Sequence, residues 1–138
     1  MKAFDGVKIL VALVLLSATT NVFAKAPKPI KSFDQKYVNQ FVYSMDHGVP
    51  AIVESSLYVV LQLKDKFPDE NYNKLIDKFD NLVNDGPTLS IRYKAQLAKF
   101  FFTNYNFFKG IDTFNKTNPE EVFKQIANKI ETNAVAVN

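Results

Sequence analysis

The chain has 138 residues, a formal net charge of +3 and no cysteine. Without Cys, disulfides, thiolate metal sites and thiol catalysis are excluded, and packing alone must hold whatever folds. Only one of the 17 basic residues is an arginine, Arg92, which argues against nucleic-acid recognition, where the bidentate guanidinium is favoured.

Residues 1–24, "MKAFDGVKILVALVLLSATTNVFA", read as a secretory signal. Lys2 and Lys8 give a positive start, 9–16 is apolar, and Val22-Phe23-Ala24 suits a signal peptidase. The apolar run is too short to cross a bilayer, which needs about 20 residues. The structural alternatives are an N-terminal anchor or a buried helix. The expectation is an exported protein, periplasmic or extracellular, with no stable membrane anchor once the leader is cut. Residues 25–31, "KAPKPIK", are basic, Pro-containing and aperiodic, which predicts a solvated linker.

A single helical domain is expected over 32–131. The first helix is predicted at 33–46, opened by a Ser32/Gln35 capping box and closed by His47-Gly48. The second runs over 50–66, with Pro50 in its first turn and Phe67-Pro68 as its stop. It is apolar nearly all round, so cover on more than one side is expected. A third, amphipathic helix covers 71–83 and ends at Asn84-Asp85-Gly86-Pro87. The fourth starts with Thr88 or Ser90 as cap and continues to about residue 108. After a loop at 111–117, Asn118-Pro119-Glu120-Glu121 opens a fifth helix, 119–131, and 132–138 reads as a fraying tail.

Shifted by 38 residues, the chain matches itself in register. Phe41 falls on Phe79, Gly48 on Gly86, Val53 on Ile91, Leu57 on Ala95, Val59 on Leu97 and Leu63 on Phe101. Two helix–turn–helix units follow, at about 33–66 and 71–104, each able to bury its open face on the other. Ile91-Arg92-x-x-Ala95-x-x-Ala98, preceded by Asn84-Asp85-Gly86, resembles the second helix of a HEAT repeat. The first unit, Val53-Glu54-x-x-Leu57-x-x-Val60, departs from that pattern by carrying Glu54. The resemblance covers about 33–103 and implies a short, all-α, α-solenoid scaffold that binds proteins without catalysis, with the fifth helix as cap. The plain alternative is a compact five-helix bundle.

Residues 100–108 hold six aromatics in nine positions. They point in every direction around a helix, which favours core packing over a partner groove or a membrane face. His47 is the only histidine, too few for a zinc site. The acids of 65–80 do not follow an EF-hand pattern. No catalytic constellation, metal or cofactor is expected. Glu54 and Arg92, equivalent at the repeat offset, are candidates for an inter-repeat ion pair.

These readings converge on a non-catalytic module whose partner is another protein, contacted along the second helices at Tyr58, Gln62, Tyr93, Gln96 and Lys99. The alternative is a small carrier that encloses an apolar ligand near Phe101, Phe102 and Tyr105.

Overall fold

Local side-chain caps, or a proline in the first turn, set where most of the helices start. The computed structural model of the chain describes residues 32–114 and 118–137; the leader at 1–24, the linker at 25–31, positions 115–117 and residue 138 lie outside the described residues. Helix α1 (Gln35–Asp46) begins two residues later than the sequence predicts. Its cap is Asp34, not Ser32: the Asp34 carboxylate accepts from the Lys36 N–H at 2.9 Å, an acidic cap that also faces the positive end of the helix dipole. Gly48, just past the His47 cap, turns the chain out of α1 at a φ of 70°.

Helix α2 (Pro50–Lys66) has the predicted bounds. Its end is held from outside: the single proton of the Tyr72 hydroxyl points to Phe67 O at 2.7 Å, with Leu63 O, which also accepts from the Phe67 N–H, 3.2 Å away. Helix α3 (Asn73–Asp85) starts where the Asn71 side chain accepts from the Asn73 N–H at 3.0 Å. Helix α4 (Leu89–Thr103) takes Thr88 as its cap, Oγ1 accepting from the Ile91 N–H at 3.1 Å. It stops at Asn104, where the extended-side backbone turns and the Asn104 amide Nδ2 donates to Phe100 O at 3.3 Å. The Asn104 backbone N–H keeps its bond to the same carbonyl at 3.0 Å, and the non-helical backbone of Asn104 then splits the predicted fourth helix and leaves 105–108 as a separate turn, α5 (Tyr105–Phe108). Helix α6 (Pro119–Val137) opens with the Asn118 side chain accepting from the Glu120 N–H at 3.1 Å. It continues through 132–137, so the expected tail there is helical instead.

All described secondary structure is α-helical, with no strand among the described residues. The first helices of the two hairpins, α1 and α3, pack together, and so do the second helices, α2 and α4. Helix α4 also packs on α3, α5 and α6. The core runs through Val38, Met45, Val53, Leu57, Leu61, Phe79, Ile91, Phe101 and Ile126, all buried. Edge-on ring contacts stitch it, with Phe102 5.1 Å from both Tyr72 and Phe79; such pairs add about 0.5–1.5 kcal/mol beyond area burial.

Within this frame the two glycines of the repeat register differ. Gly48 is left-handed, whereas Gly86 has a φ of −57°. A Cβ on Gly86 would lie 2.4 Å from Leu82 O and 3.1 Å from Arg92 Cγ. One glycine serves conformation, the other close approach. Burial departs from the register as well: Leu97 is buried, but its equivalent Val59 is exposed. Helix α6 packs on α4, while Val59 borders an open cleft between α2 and the start of α6.

Candidate functional site

The aromatic run divides between core and surface. Phe101, Phe102 and Phe108 are buried, and Phe101 meets Tyr105 edge-on at 5.6 Å and Phe108 at a tilt at 5.8 Å. Phe100 and Phe107 are 39% and 37% exposed. Along the same face of α4 lie Leu89, 81% exposed, and Tyr93, 56% exposed. Residues 89, 93, 96 and 100 follow the i, i+4, i+7, i+11 spacing of a single helical face. The stripe runs into an apolar groove of about 540 Å³ bordered by Phe100, Phe107, Phe108 and Ile130, between α4–α5 and the far half of α6.

The residues expected to form one contact surface do not all share it. Tyr93 and the half-buried Gln96 belong to the α4 stripe. Lys99 turns toward α3 and pairs with Asp80 at 2.5 Å. Gln62 faces the segment after α5, its amide donating to Thr113 O at 3.1 Å. Tyr58 lines the cleft between α2 and α6 with Lys94, Glu120 and Phe123. Leu89, Phe100 and Phe107 are exposed although the sequence did not place them on the surface. Their hydrophobicity reads as core from sequence, and only the placement of α6 leaves them uncovered.

Glu54 and Arg92 do not form the expected inter-repeat pair. The Arg92 Nε donates to Gly86 O at 2.8 Å, closing the turn before α4. Glu54 lies 3.4 Å from the Lys94 ammonium and accepts from Ser90 Oγ at 2.9 Å. Lys94 is buried and also binds Glu120 while sitting 5.6 Å from the Phe123 ring, so it joins α2, α4 and α6. The reason is azimuth: residues 92 and 94 are about 200° apart around a helix, and only Lys94 faces α2.

A second cleft, about 480 Å³, is lined by Lys64, Pro68, Asp69, Phe102, Tyr105, Asn106, Phe107 and Lys109 among others. Phe102 and Tyr105 border it; Phe101 is buried and borders neither this cleft nor the apolar groove. The Tyr105 hydroxyl donates to Asp65 Oδ1 at 2.6 Å, and Thr113 Oγ1 donates to Asp65 Oδ2 at 2.8 Å. Burial, then the Asp65 carboxylate, pushes the Tyr105 phenol up to about 12. Burial holds the Lys64 ammonium below the usual lysine range, with the Asp69 charge opposing it.

Among the described residues no three His, Cys, Asp or Glu side chains gather closely enough to hold a metal ion. No helix among them is long and apolar enough to cross a membrane. Compared with protein-family models, curated proteins and solved structures, the chain matches none.

Proposed function

We propose that the chain is an exported, non-catalytic module that binds another protein through the α4 stripe, and that residues 33–104 form two stacked HEAT-like units capped by α6. The pairing of α1 with α3 and of α2 with α4 supports the stacked reading. One observation carries the contact reading: Leu89, Tyr93 and Phe100 stay exposed in line along α4, whose other faces fill the core, and Phe107 on α5 is exposed beside them. Large apolar side chains aligned in this way mark interaction surfaces rather than scattered surface residues, and an aromatic anchor such as Tyr93 suits the centre of one.

A photo-crosslinking residue placed at Tyr93 in the producing cell should give discrete protein adducts, and the same residue at Asn81, on the polar side of α3, should give none. Equal labelling from both positions, or none from Tyr93, would reject the stripe as the contact face. The carrier alternative draws no support from Phe101 and Phe102, whose rings are taken up by one another and by Phe79, Tyr72 and Phe108.

A further inference from the structure

The buried lysines of this fold are not equivalent. Lys94 meets two carboxylates. Lys64 is only 9% exposed, yet among the described residues no carboxylate lies within ion-pair distance of it. Its one hydrogen-bond acceptor there is Pro68 O, at 2.5 Å. The rest of its surroundings are rings: the ammonium lies 5.0 Å from the Tyr72 centroid, 5.6 Å from Tyr105 and 6.0 Å from Phe102. An ammonium has three donors, and a buried cation is retained at low cost only when paired. Ring faces, the Asp69 charge beyond ion-pair distance and the partial charge of the α2 C-terminus, about half a unit, attract it without forming a contact ion pair.

Three of those four neighbours, Pro68, Phe102 and Tyr105, line the same cleft as Lys64 itself. From this we propose that the cleft binds a small organic monoanion, a carboxylate carried on an aryl or alkyl body, with its charge against Lys64. The charged side chains on the lining are Lys64, Lys109 and Asp69, a balance of one positive charge. That balance matches a single negative charge and disfavours a phosphate dianion, which Asp69 would repel. Asn104 and Asn106 add amide donors at the rim, and the exposed Phe107 and half-buried Tyr105 offer ring surface for the ligand's body. The volume lies within the range of small-molecule sites. This site borders the groove at the end of the stripe through Asn104 and Phe107, but it rests on Lys64 and does not depend on the protein-contact reading.

The test is a titration of the ¹⁵N-labelled full chain with sodium benzoate at constant sodium concentration, followed by amide chemical shifts. Saturable shifts confined to residues 64–69 and 102–109 are expected. Loss of the charge-assisted contact in Lys64→Met should weaken them roughly tenfold or more. Inorganic phosphate should bind several-fold more weakly than benzoate, and benzylammonium should give no saturable shift there. Lys109→Met, at an exposed position, reads the same cleft if Lys64→Met does not fold, and should weaken benzoate several-fold. Shifts that never saturate, that map elsewhere, that persist unchanged in the lysine variants, or that benzylammonium reproduces would overturn the proposal, and phosphate binding tighter than benzoate would overturn its monoanion class.

Discussion

Gly48 and Gly86 sit at equivalent positions of the two hairpins and are glycine for different reasons. At Gly48 nothing lies within 4 Å of an added Cβ, and the cost of a side chain is the positive φ alone. Gly48→Ala should therefore lose about 1–2 kcal/mol, the ordinary penalty of a left-handed residue, and Gly48→Asn should recover most of it. At Gly86 the backbone angles suit alanine, but the Cβ would strike Leu82 O. Gly86→Ala should cost about 1–3 kcal/mol as overpacking, and adding Arg92→Ala should not restore it, because the carbonyl remains. Urea midpoints of these variants check both halves of the claim. The sequence showed that a glycine belonged at each place. It could not show which constraint applied, since φ at Gly86 and the approach of Leu82 O depend on how α3 meets α4.

At the scale of elements, the end of α2 is tied down by two phenols. Tyr72 donates to Phe67 O at its C-terminal cap and Tyr105 holds Asp65. Burial raises both phenols above the ordinary value of 10.0, with the charge of Glu70 adding to the effect at Tyr72. Below pH 10 both states are protonated and the contacts contribute fully. Above it the unfolded chain loses phenolic protons first, so stability falls as pH rises from 10 through about 12, where Tyr105 titrates in the fold. Lys64 acts in the opposite sense and earlier: its depressed folded value makes stability rise as pH climbs toward 10.5. The urea midpoint should decline between pH 10 and 12, and Tyr105→Phe should flatten that decline; an unchanged slope would remove Tyr105 from the account. Helix extents were largely legible here, because caps such as Thr88, Pro50 and Asn118 act within one turn. The break at Asn104 was not, since neither a Gly nor a Pro marks it and it lies in the backbone angles of Asn104 itself.

At the scale of the whole molecule, no disulfide closes the fold, and α6 is the element that completes it. Val122, Phe123 and Ile126 are buried, Lys94 reaches across to Glu120, and the Lys129 ammonium lies 5.3 Å from the Phe107 ring. Three buried side chains at about 1.5–3 kcal/mol each approach the whole stability of an ordinary domain, about 5–15 kcal/mol. Ending the chain at residue 118 should abolish cooperative thermal unfolding and produce dye binding to exposed core. Ending it at residue 131 should change the midpoint little, because 132–136 are exposed; circular dichroism melts of the two truncations make the comparison. By itself the sequence determined an all-helical chain, the bounds of α2, the residue types at most caps and most of the core, because helical period and capping are local properties. Tertiary structure alone decided that Glu54 meets Lys94 rather than Arg92, that Leu97 is covered while Val59 is not, and that Phe100 stays exposed beside buried Phe101. A repeat offset gives position along a helix; the rotation of that helix about its axis, and what finally packs on it, is set by neighbours far away in the chain.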